Sequence, residues 1–277
     1  RYEGTKKVPI DVGEAGDIVV VAGLEKANVA DTICDLEVNE PIPATPIDPP
    51  TMSITITVNT SPLAGTEGKK LTSTQIRERL VQEAQNNVGI TFSENEGKDS
   101  FVVSGRGELH LGILIETMRR EGYEFAVSRP EVITKEIDGK EHEPFERLII
   151  DLPDEYTGSV MQVLGPRKAE LQNMEVEGTQ ALLEFTIPTR GIIGFRSEFL
   201  RLTKGNGVMN HAFIEYRPWC GDIPSQRMGV LVAWEEGVST AYAIQNAEDR
   251  GRFFITPQTK VYGGMIVGEN NRPQDLN

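Results

Sequence analysis

Cysteine, histidine, basic residues and long apolar runs are all scarce in this chain. Its 277 residues hold two cysteines, Cys34 and Cys220, with no C-x-x-C spacing. That argues against a disulfide framework and against a thiolate zinc site, and it fits a reducing, intracellular compartment. The three histidines, His110, His142 and His211, form no H-E-x-x-H pattern and have no second ligand at helical spacing, so no catalytic metal is expected. No apolar run approaches the roughly 20 residues that a membrane span needs, and a soluble protein with no membrane partner is expected. Lys and Arg number 28 against 42 Asp and Glu, a net charge of −14, which speaks against a simple DNA-coating protein. The deficit is uneven: residues 1–50 carry 4 basic and 10 acidic groups, residues 144–217 carry 8 and 10. A local basic face is therefore open to the second region. Arg1 is not an initiator Met and no signal peptide precedes it, so the chain reads as a fragment.

What is present is a change of pattern along the chain. Residues 1–40 include "AGDIVVVAGL", Ala15 to Leu24, a Val-rich stretch between glycines that predicts a strand of a β-barrel. Forty residues are too few to close a barrel, so a partial one is expected. Pro41, Pro43, Pro46, Pro49 and Pro50 then fall within residues 41–50. Proline fixes φ and lacks a backbone donor, which predicts an extended spacer at a domain boundary.

From Thr51, strands alternate with helices. "TMSITITVN" alternates and is β-branched, hence a strand. Thr72 and Gln75 form a capping-box signature, after which Ile76, Leu80, Ala84 and Val88 recur on one helix face. "GITFSEN" and "DSFVVSG" read as strands, Gly107–Gly122 as a helix and "YEFAVS" as a strand. The order β-α-β-β-α-β over residues 51–132 is that of a ferredoxin-like α/β sandwich. Residues 133–143 read as a linker. The same order then recurs over 144–217: "ERLIIDLP", a helix from Thr157 to Leu171 kinked at Gly165-Pro166, "NMEVEG", "ALLEFTIP", a helix from Arg190 to Lys204, and "MNHAFIEY". The closing strands share an offset, Phe125 to Arg129-Pro130 and Phe213 to Arg217-Pro218. Residues 218–277 predict the start of a mixed α/β domain that ends in loop-like sequence. The expected fold class is thus multidomain α+β: a partial β-barrel, two tandem ferredoxin-like sandwiches and a third, mixed segment.

Few residues read as chemistry. Gly105 and Gly107 are not a dinucleotide fingerprint, because His110 holds the place of the third glycine. "GTEGKKL" is not a P-loop: Leu63 stands where the first glycine belongs, and Lys69 is followed by Lys70. That stretch is expected to supply neither a cradle of backbone N–H groups nor a magnesium-holding hydroxyl. No carboxylate pair is placed for acid–base work, and G-x-S-x-G is absent. His110, one turn into its helix, is expected to be structural. At about 100° per residue, Ile192, Phe195, Phe199 and Leu202 share one arc of the 190–204 helix, with Arg190, Arg201 and Lys204 opposite and Arg196 on the flank. Arg167 and Lys168 add two cations. This face is either an ordinary solvated surface or a phosphate-tracking one. Base-stacking aromatics are missing from the central strands, so contact would be with backbone and shape.

"SGRGELHL", "NTSPLAGTEGKKLTS", "MRREGYEFAVSRPEV", "RGIIGFRSEF", "EDRGRFF" and "YGGMIVGENNRPQDL" together closely resemble the TypA/BipA translational GTPases, relatives of elongation factor G. "EYRPWCGD" and "NRPQDL" look closer to the cyanobacterial and plastid branch. The resemblance covers nearly the whole chain. It implies that residues 1–40 end the second-domain barrel, that 51–132 are domain III, 144–217 domain V, and 218–277 the start of the family's own C-terminal domain. It further implies docking in the ribosomal A-site region against rRNA and ribosomal protein, a monomer, a cytoplasmic or plastid-stromal location, and a role in translation, ribosome assembly or stress response. The GTPase domain, with its GTP and magnesium, is expected to be missing: no P-loop, D-x-x-G or N-K-x-D occurs. This chain is accordingly expected to hold no cofactor and to catalyse nothing, with Arg167, Lys168, Arg190, Arg196, Arg201 and Lys204 as candidate rRNA contacts. Gly105, Gly107, Glu108 and His110 are expected to form a structural strand-to-helix turn that helps relay the state of that domain. A lone RNA-binding or metabolite-binding ferredoxin-like protein is the alternative.

Overall fold

The proline-rich stretch contains the main division of the chain. The computed structural model describes all residues except Thr5, 25–28, Asn39, 44–46, 96–98 and 225–227. Two units result, Arg1–Ile47 and Asp48–Asn277. Part of the expected spacer, including Pro46, lies outside the described residues.

In the first unit the expected barrel strand does not form. The described residues there hold one small hairpin, β1 (Tyr2–Glu3) against β2 (Lys6–Lys7). Val19, Val20 and Val21 are exposed and in no strand. A strand is stable only when its N–H and C=O groups find partners, and no described neighbour supplies them.

The second unit opens with β3 (Met52–Val58), whose alternate side chains Met52, Ile54 and Ile56 are buried. Helix α1 (Ser73–Asn86) starts at the predicted capping box: Thr72 Oγ1 accepts from Gln75 N, and Gln75 Oε1 accepts from Thr72 N. Ile76 and Leu80 are buried, but the helix ends before Val88, which is exposed, and Ile90 enters the core instead. Strands β4 (Thr91–Glu94) and β5 (Ser100–Gly105), helix α2 (Glu108–Arg120) and strand β6 (Phe125–Val127) complete the unit. The sheet order is β4-β5-β3-β6, all antiparallel, with β7 (Glu131–Val132) also on β3. That is the ferredoxin-like arrangement, with both helices packed on one face.

Residues 133–143 are not a linker. β8 (Lys135–Ile137) and the long β9 (Lys140–Pro153) form a hairpin that belongs to the second sheet. After a 3-10 turn at Asp154–Tyr156, α3 (Thr157–Leu164) stops at Gly165 rather than continuing, kinked, to Leu171. Pro166 cannot extend it, and Leu171 falls in β10 (Glu170–Glu177). β11 (Gln180–Pro188) follows, then two short helices, α4 (Thr189–Ile192) and α5 (Phe195–Leu202), and β12 (Val208–Pro218). The order β10-β11-β9-β12 repeats that of the first sandwich. Leu148, Ile150, Leu152, Leu183, Phe185 and Ile187 bury one sheet face under Val160, Leu164, Phe195 and Phe199.

The third segment holds β13 (Val230–Val232), β14 (Gly237–Val238), α6 (Ala241–Ala247), a 3-10 turn at Glu248–Arg250, β15 (Gly251–Phe253), β16 (Lys260–Val261) and β17 (Ile266–Asn270). They build the sheets β13-β17-β15 and β14-β16. The last residues are not loose: Leu276 bridges Leu231, donating to Val230 O and accepting from Val232 N.

Candidate nucleic-acid interface

The single helix expected over 190–204 is two helices, broken where Gly194 takes a left-handed φ of 70°. Angular positions counted through that break therefore do not hold. Arg190 shares no face with Arg201 and Lys204.

Arg190 faces inward. Its Nε donates to Glu143 Oε2 at 2.5 Å, and its Nη2 donates to Glu143 Oε1 at 3.0 Å and to Gly221 O. Cys220 N also donates to Glu143, and the guanidinium lies 3.8 Å from the centre of the Trp219 ring. Glu143 is fully buried, so this bidentate pair supplies the charge compensation that burial demands. Arg167 is likewise buried. It donates to Gly191 O at 2.8 Å, Ile193 O at 3.1 Å and Glu198 Oε2 at 3.0 Å, tying the end of α3 to α4 and α5. These two candidate RNA contacts are engaged within the protein by carboxylates and backbone carbonyls.

The other four are at the surface. Lys168 follows α3 with a φ of 63°, and Lys204 follows α5 with a φ of 51°; both are exposed. On α5, Arg196 and Arg201 flank the exposed Ser197 and Leu200, while Phe195 and Phe199 are buried behind them. Arg201 lies 3.9 Å from Glu198, itself shared with Arg167. The structure thus leaves Lys168, Arg196, Arg201 and Lys204 able to meet a polyanion.

The glycine turn divides differently from expectation. A Cβ on Gly105 would stand 3.0 Å from Leu111 Cδ2, so its lack of a side chain lets β5 and α2 pack closely. Gly107 has an extended φ of 168° and open space around it; only His211 Cε1 comes within 3.9 Å of where a Cβ would be. Its glycine is not required by the turn. Glu108 sits in the first turn of α2 and accepts from Gly194 N of the second sandwich at 3.2 Å. His110 Nε2 accepts from Asn87 Nδ2 at 3.2 Å, and Asn87 also donates to Glu83. Burial, reinforced by the neighbouring Arg106, holds the imidazole of His110 below its usual pKa, as befits a neutral acceptor.

Three carboxylates escaped the sequence reading. Glu143 lay inside the supposed linker. Glu146, almost fully buried, accepts from Thr189 Oγ1 at 2.8 Å and from His211 Nδ1 at 2.5 Å. Glu124 accepts from the backbone N–H groups of Gly65, Glu67 and Gly68 and from Asn59 Nδ2. The "GTEGKKL" stretch therefore does gather a cradle of N–H groups, contrary to expectation, but the chain's own carboxylate fills it. No local pattern marks these residues, because each partner lies in a different part of the chain. Among the described residues no cluster of His, Cys, Asp and Glu could hold a metal, and no helix is long and apolar enough to cross a membrane.

Two sandwiches of the same strand order are thus followed by a third, mixed segment. Residues 140–227 match the family described as Elongation factor G C-terminus, and residues 228–277 match the TypA/BipA C-terminal domain. The protein named "Large ribosomal subunit assembly factor BipA" from Synechocystis sp. is 51% identical over 99% of this chain and 46% of its own length. The protein of that name from Bacillus subtilis (strain 168) is 51% identical over 99% and 45%, and the one from Escherichia coli (strain K12) 46% identical over 99% and 45%. The chain belongs to the TypA/BipA family, and it spans about half the length of the curated relatives it matches. The equal identity to the first two does not single out the cyanobacterial branch.

Proposed function

We propose that this chain is the ribosome-binding part of a translational GTPase that acts in assembly of the large ribosomal subunit, in the cytoplasm. The relatives that match 99% of the chain carry that role in their name. In this reading GTP and magnesium are bound by a domain outside these 277 residues. The chain then docks in the A-site region and passes on the nucleotide state through its packed sandwiches.

One observation carries the contact chemistry. In a strongly acidic protein, Lys168, just after α3, and Arg201 and Lys204, at the end of α5, are exposed cations on the helical layer of the second sandwich, while Arg167 ties the end of α3 to α4 and α5 from inside. Exposed cations on a rigid element suit phosphate contacts, and such contacts release counterions. Co-sedimentation of the Lys168→Gln/Arg201→Gln/Lys204→Gln variant with large subunits across a salt series tests this. Weaker binding with a flatter salt slope is expected. Wild-type binding at every salt concentration would show that the surface is merely solvated.

A further inference from the structure

Strand β10 is the outer strand of the second sheet: β11 pairs with one side of it, and among the described residues no strand pairs with the other. All eight of its residues are exposed. The edges of the first sandwich's sheet are shorter, four residues in β4 and three in β6, which limits what can add to them. At the opposite edge of the second sheet, β12 is bulged between Phe213 and Glu215, and its Arg217 and Glu215 pair with each other. β10 has its bulge near its start, between Leu171 and Asn173, and from Asn173 to Glu177 it stays in register with β11. An antiparallel ladder turns the N–H and C=O groups of alternate residues away from the partner strand. Met174 faces out in this way: its N–H donates to Asn173 Oδ1 at 2.9 Å instead of to a strand. Val176, two residues on, has the same orientation. The two faces of the edge differ. Met174 and Val176 stand beside Leu183 and Ala181 at the rim of the core and remain 41% and 49% exposed. Glu175 and Glu177 project from the other face. Glu175 accepts from Asn173 Nδ2 at 3.0 Å, and neither glutamate meets a cation among the described residues. Glu170, at the start of the strand, lies 3.7 Å from Arg217.

We propose that the β10 edge is a docking site for an extended, basic segment of a partner protein, which adds to the sheet as a further strand. The outward backbone groups of Met174 and Val176 supply the hydrogen bonds. A strand repeats every two residues, so a segment that alternates Lys or Arg with apolar residues fits both faces at once. Its cations lie beside Glu175 and Glu177, and its apolar side chains lie beside Met174 and Val176. Asn173 holds the Met174 N–H while the edge is bare and gives way to a carbonyl of the incoming strand. A second copy of this chain, added edge to edge, would set these glutamates against each other, and a nucleic acid would meet the same repulsion. This surface is separate from that of Lys168, Arg201 and Lys204, whose charge is opposite.

The test uses the full 277-residue chain and a fluorescein-labelled peptide of alternating lysine and valine, as long as β10, with anisotropy as the readout. Binding is expected, and amide exchange followed by NMR should slow at Met174 and Val176 but not in β12. Two N-methylated forms of the peptide carry their methyl groups on the two alternate sets of residues. Strand addition uses the N–H groups of one set only, so one form should bind and the other should not. A block peptide of the same composition, all lysines before all valines, should bind much more weakly. Glu175→Gln/Glu177→Gln should weaken the alternating peptide about fivefold, as two cross-strand charge pairs allow. Equal binding of both methylated forms, or of the block peptide, would show charge attraction alone and overturn the proposal. So would an unchanged affinity in the Gln variant, protection confined to β12, or no binding of the alternating peptide.

Discussion

His211 and Glu146, 65 residues apart, meet at 2.5 Å between Nδ1 and Oε2 on neighbouring strands β12 and β9. Glu146 is 3% exposed, and its other oxygen accepts from Thr189 at the start of α4. The pair therefore joins the sheet to the helix that ends at the inter-sandwich seam. The carboxylate holds the imidazole above its usual pKa, against burial and the repulsion of Arg196.

This pair sets a pH dependence. A histidine whose folded pKa is raised contributes stability in full below its unfolded value of about 6.5 and loses it as pH climbs through the folded value. The melting-temperature gap between wild type and His211→Asn is accordingly expected to be largest near pH 5.5 and to shrink towards pH 8.5. A gap that widens with pH would contradict a charged His211.

The buried Arg190–Glu143 pair predicts a loss of stability rather than of binding alone. Arg190→Gln leaves the fully buried Glu143 without its counter-charge, which costs about 3–5 kcal/mol. Arg201→Gln and Lys204→Gln, at the surface, should stay within about 0.5 kcal/mol. Urea unfolding of the three variants checks this. Equal midpoints would show that Arg190 does not act as an internal strut.

The two glycines of the G-R-G turn should respond in opposite ways. Gly105→Ala puts a Cβ 3.0–3.1 Å from the Leu111 side chain and 3.4 Å from Ile90 Cδ1, so the core must shift, at about 1–3 kcal/mol. Gly107→Ala adopts an extended φ in open space and should be close to neutral. Thermal melts of both variants decide it, and a larger loss at Gly107 would reverse the assignment.

The two sandwiches are legible in the sequence because their periodicity is local. Met52, Ile54 and Ile56, or Leu148, Ile150 and Leu152, alternate as half-buried strands must, and Thr72 and Gln75 announce a helix start. The long family motifs pointed to TypA/BipA on residue identity alone. The reading failed where an element depends on its neighbours. "AGDIVVVAGL" has strand composition but no described partner strand, while residues 135–137 and 140–143, polar and unremarkable, become strand because they pair with each other and with β12.

The surface chemistry was the least legible part. Helical periodicity says which way a side chain points only while the helix continues, and Gly194 ends that count between Arg190 and Arg201. The sequence by itself determined the β-α-β-β-α-β order of the two sandwiches, their apolar cores and the family. Only the tertiary structure decided that Arg167 and Arg190 are consumed inside the protein while Lys168, Arg196, Arg201, Lys204 and Arg106 remain outside. The physical reason is that a charge is neutralised by whatever group lies within a few ångströms of it in space. For Arg190 that group is Glu143, 47 residues away in the chain, and for Arg167 it is Glu198, 31 residues away. No spacing rule along the chain reaches that far.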